Sequence, residues 1–263
     1  MKKLLIITIM LALVPSIYAQ NATRGVISGT FSVNRNKKVQ FSQGNLQYQA
    51  STKTWRFAEH QWDMIGDGNK NISSNYSGWI DLFGWGTGNN PTNSSTYWSD
   101  YSTFNDWGNN AISNGGGKRW FTLTKDEWDY VFNSRSTNSG MRYAKAVVNG
   151  INGLILLPDN WNASYYTLSN TNNSEAGFTN NRVSKAIWAE KFESNGAVFI
   201  PVAGYRFGTD VYYVGAGGYY WSATVHGSDA YILWFDEGYL RAADDYWRCD
   251  FGCSVRLVCS ADK

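Results

Sequence analysis

Residues 218–258 read GYYWSATVHGSDAYILWFDEGYLRAADDYWRCDFGCSVRLV. The runs Tyr219 to Ser222, Ala230 to Phe235 and Cys253 to Cys259 are short, rich in aromatic and β-branched residues, and separated by Gly, Ser and Asp, which is the signature of strands broken by turns. Between Val225 and Gly252 the acidic residues Asp229, Asp236, Glu237, Asp244, Asp245 and Asp250 outnumber the basic Arg241 and Arg248, and Tyr231, Trp234, Tyr239, Tyr246 and Trp247 are interleaved with them. Tyr and Trp give large contact area for few frozen rotors, while Asp and Arg supply directional polar contacts. That mixture is the composition of a binding surface.

The same texture extends toward the N-terminus. Val39 to Phe41, Leu46 to Gln49, Trp55 to Phe57, Ala144 to Val148, Leu154 to Leu157 and Ala197 to Ile200 read as further strands. From Gly66 to Gly117 the chain is rich in Asn, Ser and Gly yet carries Trp79, Trp85, Tyr97, Trp98, Tyr101 and Trp107. That density of rings predicts long ordered loops pinned by buried aromatics. Two helices stand out. One opens at Thr124-Lys125-Asp126-Glu127, a capping box followed by Trp128, Val131 and Phe132 at helical spacing. The other starts near Ser184, places Ile187, Trp188 and Phe192 on one stripe, and stops at Asn195-Gly196. Two helices amid many short, mostly antiparallel strands predict an α+β fold, with one domain over 29–260.

Lys2 and Lys3, an apolar run from Leu4 to Val14 and a small-residue end at Ile17-Tyr18-Ala19 predict a signal peptide over 1–19, too short to span a bilayer, followed by a linker over 20–28. The protein is therefore expected to be exported, to the extracellular space, the cell surface or the periplasm, with no direct membrane span. The whole chain has 23 basic and 21 acidic residues. Loss of Lys2 and Lys3 balances them, which leaves no global field for nucleic acid. Cys249, Cys253 and Cys259 are an odd set, hence no disulfide framework. Two readings stand: buried thiols acting as small hydrophobes, or a Cys249 to Cys253 bridge across a turn.

The chain is poorly stocked for catalysis. His60 and His226, the 2 histidines, lie in no nucleophile or zinc motif, Cys-x3-Cys is not a zinc spacing, and Gly215-Ala216-Gly217-Gly218 leads into a strand rather than a helix, so no helix dipole faces a phosphate. No catalytic residue, no metal and no cofactor is expected.

The segments VQFSQGNLQYQASTKTWRFAEHQWDMIG, SGWIDLFGWGTG, LTKDEWDYVFNSR, VNGINGLILLPDNW, GAVFIPVAGYRFGT and GYYWSATV followed by GCSVRLV resemble exported Bacteroidales proteins similar to the Fibrobacter major paralogous domain and, more distantly, to the C-type lectin folds of the formylglycine-generating-enzyme type. The group resembles the variable proteins of diversity-generating retroelements, in which an error-prone reverse transcriptase rewrites codons of a C-terminal region. The resemblance implies a lectin-like scaffold with a ligand-binding region over about 225–252. Its frame would be Tyr220, Trp221, Ser222, Ala230, Leu233, Phe235, Ser254, Val255 and Arg256. Its ligand-binding positions would be His226, Asp229, Tyr231, Ile232, Trp234, Asp236, Tyr239, Arg241, Asp244, Asp245, Tyr246 and Asp250, with Cys249 also displayed. The implied function is recognition or adhesion toward a protein or glycan on a cell, phage or host surface. The alternatives are a structural or adhesive subunit of a surface assembly and a copper-dependent oxidase using Cys249 and Cys253, from whose cysteine spacing the chain departs. The tripeptides of calcium-dependent sugar binding are absent.

Overall fold

A computed structural model describes residues 25–261, apart from the side chains of Asp244 and Asp245. The expected signal peptide and residues 20–24 of the expected linker lie outside the described residues. Within the linker, Val26 and Ile27 are buried, and the Ile27 amide donates to the Phe41 carbonyl at 2.9 Å. The folded body thus begins ahead of Gly29.

In the strand Lys38–Phe41, Val39 and Phe41 turn inward while Lys38 and Gln40 face out, the period-2 alternation of a sheet with one solvated side. Phe31–Ser32 pairs with it on one side and Val258–Ser260 on the other, followed by Trp120–Phe121. The first and last described strands therefore share a sheet. Another antiparallel run joins Tyr143–Val148, Ile151–Leu156 and Val198–Pro201. The turn of its hairpin is Asn149-Gly150, with φ at 49° and 84°, the mirror-image geometry that matches strand twist. Arg182–Val183 adds a short parallel strand at its edge. Leu46–Gln49 sits between Thr54–Phe57 and Trp79–Ile80. Tyr205–Phe207 lies between Asp210–Tyr212 and Phe251–Gly252. Gly218–His226, Asp229–Phe235 and Leu240–Arg248 form an antiparallel meander. With two short helices, this is the expected α+β class.

Each helix begins as expected. Thr124 accepts from the Glu127 amide at 3.3 Å and Glu127 accepts from the Thr124 amide at 2.9 Å, closing the capping box. The α-helical turn Lys125–Asp129 then relaxes into a π-helical turn over Tyr130–Ser134. The second helix runs from Lys185–Ile187 through a π-helical Trp188–Phe192 and a 3-10 turn, and ends at Gly196 with φ 80°. Trp188 and Phe192 stack at 5.3 Å, the contact their spacing predicts.

Two expectations need correction. Cys253 to Cys259 is not one strand: Cys253 and Ser254 make isolated bridges to Phe83 and Tyr220, and regular pairing resumes only at Val258. Cys253, Val255, Leu257 and Cys259 nevertheless all enter the same core cluster. In the Asn-rich loops Trp85, Tyr101 and Trp107 are buried, but Tyr97 and Trp98 are 72% and 51% exposed. No helix among the described residues is long and apolar enough to cross a membrane.

Candidate functional site

The meander of residues 218–248 is where burial changes most sharply along single strands. In Gly218–His226 the first five residues are buried and the last two exposed. The buried end is clamped from both sides. The Tyr220 hydroxyl donates to the Pro201 carbonyl at 2.6 Å and accepts from Asn45 at 3.0 Å. The Trp221 indole donates to the Phe83 carbonyl at 2.6 Å, and the Trp85 indole to the Ser222 carbonyl at 3.0 Å. Main-chain bonds tie Trp221 to Ser254 and Ser254 to Tyr219. Arg256 is buried and donates to Gln61 at 3.1 Å and Asn45 at 3.4 Å; its burial lowers the guanidinium pKa to about 10. All nine frame positions carried by the resemblance are buried.

The two faces of the meander divide by the period-2 rule. Ala230 and Ile232 enter the cluster that contains Trp221, Cys249 and Cys253. Leu233 and Phe235 enter the one that contains Trp128, Val131 and Phe132 of the first helix. That helix covers the inner half of its face and leaves the tip open. There His226, Tyr231 and Tyr246 form a ring cluster, with centroids 4.7 Å apart for His226 and Tyr246, 5.7 Å for His226 and Tyr231, and 5.8 Å for Tyr231 and Tyr246. Lys125 stands 5.1 Å over Tyr231, a cation–π arrangement.

A second group lies at the other turn. Trp234 and Tyr239 stack at 5.9 Å and 15°, and Arg241, paired across the strands with Trp234, stands over the indole at 5.7 Å. The Asp236 carboxylate accepts from the Gly238 and Tyr239 amides, each at 2.9 Å, so it shapes the turn that lifts Tyr239. Behind the turn the buried Lys145 donates to the carbonyls of Ser174 at 2.7 Å and Glu237 at 3.4 Å. Desolvation brings its pKa down to about 8, against the opposing pull of Asp236 and Glu237.

Of the expected ligand positions, His226, Tyr239, Arg241 and Tyr246 are exposed, and Asp229, Tyr231, Trp234 and Asp236 are half-buried. Asp244 and Asp245 belong to the strand Leu240–Arg248, with side chains outside the described residues. Two positions are corrected. Ile232 is fully buried because its parity aligns it with Trp221, its cross-strand partner. Asp250 is also buried, held by Arg248 through bonds of 3.1 and 2.5 Å. Cys249 is buried rather than displayed, and all three cysteines are free thiols. Burial, with the Asp229 and Asp250 charges, pushes the Cys249 thiol up to about 12, and burial raises Cys253 well above the ordinary range. His60 is half-buried, with its ring 5.0 Å from Trp62. No group of three or more His, Cys, Asp or Glu among the described residues is placed to hold a metal ion.

Sequence reasoning missed the scaffold's own contribution to this surface. Tyr205 stacks on Tyr212 at 5.3 Å and Tyr213 at 5.9 Å, and meets Trp247 edge-on at 4.5 Å. Tyr213 is exposed and adopts φ 56°, a costly conformation for a bulky residue and the kind of outlier that gathers at functional sites. On the far side Arg248 donates to the Thr96 carbonyl at 3.1 Å, next to the exposed Tyr97 and Trp98. The run YRFGTDVYYV over 205–214 holds the signal in hindsight: two short aromatic runs around Gly208-Thr209, with Phe207 paired to Asp210. Compared with family models, curated proteins and solved structures, the chain matches none of them.

Proposed function

We propose that this is an exported, non-enzymatic recognition protein, in which a lectin-like scaffold displays a diversifiable C-terminal surface to a protein or glycan ligand on another cell, phage or host. One observation carries the reading. Every side chain of the expected frame is buried, six of them within the three strands of the meander, while exposed or half-buried rings and charges sit at both of its turns. Substitution at His226, Tyr231, Tyr239, Arg241 or Tyr246 changes what a ligand meets and leaves Tyr220, Trp221 and Arg256 in place. The rings at 205, 212 and 213 make a fixed wall beside the changeable part.

Interface energy concentrates in a few aromatic residues, each worth about 2 kcal/mol or more when truncated. The test compares the parent with the Tyr239→Ala, Tyr246→Ala double variant on protein and glycan arrays. Loss of the parent's ligands with an unchanged melting temperature is expected. A double variant that keeps the same ligands, or that unfolds several degrees earlier, overturns the proposal. Neighbouring DNA gives a second test: a reverse transcriptase gene beside a near-copy of codons 220 to 258, differing only where the copy has adenine, is the expected arrangement.

A further inference from the structure

Two adjoining hollows, of about 440 and 330 Å³, share Asn160 and Tyr165 as lining residues and take none from the C-terminal meander. Each volume lies in the range of small-ligand sites, about 300–1,000 Å³. We propose that this groove is a binding site for a neutral saccharide, separate from the C-terminal surface, with Tyr165 as the stacking platform and Asn138, Asn160 and Thr30 as readers of hydroxyl groups.

The argument starts from what lines the groove. A pyranose presents a patch of C–H groups on its face and hydroxyls around its rim, so it asks for one ring and several groups that both donate and accept. Tyr165 is 39% exposed, and its ring is steadied edge-on by the buried Trp161 at 5.3 Å and 83°. Trp161 is itself stacked on Phe192 at 5.5 Å. Around the ring come Asn, Ser and Thr side chains. An amide side chain both donates and accepts. Asn138 and Asn160 make no side-chain hydrogen bond within the described residues, so their capacity is unspent.

Charge does little to select the ligand. The only charged residues among the lining are Lys38 and Asp159, which face each other at 3.9 Å. Asp159 also pairs with Arg135 at 3.1 Å and accepts from the Ser32 hydroxyl at 2.6 Å. One carboxylate between two cations leaves a single surplus positive charge, carried at the solvent-exposed Lys38 where water and salt screen it. The electrostatic preference is therefore weak, and the uncharged Asn, Ser and Thr groups set the choice.

The walls are also held in advance. The Asp159 amide donates to Thr30 at 2.9 Å, the Asn138 amide to Asp159 at 2.8 Å, and the Trp161 amide to Pro158 at 3.0 Å. Fixed walls spare the ligand an ordering cost.

The experiment titrates the mature protein with neutral hexasaccharides of β-1,4-glucose, α-1,4-glucose, β-1,4-xylose, β-1,4-mannose and β-1,4-N-acetylglucosamine, read by saturation-transfer NMR and calorimetry. Oligogalacturonate and a heparin fragment serve as charged controls. At least one neutral hexamer should bind, and Tyr165→Ala and Asn160→Ala should each weaken it by about tenfold or more. The Tyr239→Ala, Tyr246→Ala variant should bind it as the parent does, which separates this site from the one proposed above. Asn160→Ala removes an exposed amide with no internal partner and tests the site even if the loss of Tyr165 loosens Trp161. No binding by any neutral hexamer at about 5 mM, binding only to the charged controls, or binding that survives both groove variants overturns the proposal. So does loss of binding in the Tyr239, Tyr246 variant.

Discussion

Tyr220 shows how much a single polar atom does in this frame. Its hydroxyl bridges the Pro201 carbonyl and the Asn45 amide in a site without solvent access. Tyr220→Phe leaves the buried Asn45 amide group without its acceptor, while the Pro201 carbonyl keeps the Ala203 amide at 3.0 Å, and a buried unsatisfied group costs about 1–3 kcal/mol. Chemical denaturation should show a loss of that size with an unchanged slope. Asp81 makes the matching case for pH. It is buried, accepts from Asn69 at 2.8 Å and from the Ile65 amide at 2.9 Å, and desolvation outweighs those bonds to raise its pKa to about 6. A carboxyl that holds its proton more tightly when folded favours the folded state most at low pH, and that contribution is lost as pH rises from about 4 through about 6. Relative to Asp81→Asn, the parent should therefore gain on the order of 1 kcal/mol between about pH 7 and pH 5. A gap that is constant with pH would assign Asp81 an ordinary pKa.

Among elements, the hairpin turn at 236–239 is the most instructive. One of its anchors is Lys145, on a strand of another sheet, which reaches the main-chain carbonyl of Glu237, beside the carboxylate anchors of Asp236 and Glu237. Lys145→Met should speed hydrogen exchange of the Gly238 and Tyr239 amides while leaving the Leu154 and Ile155 amides protected, since those sit on a strand paired on both sides. Equal acceleration everywhere would mean that Lys145 supports the whole fold. The helices and most strands were legible in the sequence because their signals are local: a capping box, a Trp–Phe stripe, alternating inward residues. The strand Leu240–Arg248 escaped because Ala242, Ala243 and the surrounding charges carry little strand propensity; pairing to Asp229–Phe235 makes it a strand. Exposed Tyr97 and Trp98 were misjudged because composition reports how many rings a loop has, not which way each points. Ile232 and Asp250 were misplaced for a related reason: the resemblance supplied positions along the chain, while strand parity and the Arg248 pair decide facing.

For the molecule as a whole, the three thiols bear on handling. All are buried with raised pKa values, and reactivity belongs to the exposed thiolate. The native protein should resist thiol reagents, melt at the same temperature with and without a reductant, and expose three reactive groups only on unfolding. A reductant-sensitive melt would point instead to a Cys249 to Cys253 bridge. The first and last described strands flank Lys38–Phe41 on its two sides in one sheet, so truncation at either end removes hydrogen bonds from that shared strand. Finally, because the Lys145 mooring of the Tyr239 turn is a carbonyl oxygen that every residue possesses, a change of side chain at 237 keeps that tether, whereas the Asp236 and Glu237 carboxylates hold the turn through bonds that only an acceptor side chain can make. Under the proposed function, novelty is therefore tolerated best at the rings a stranger touches, and edits at 236 and 237 are the ones the architecture feels.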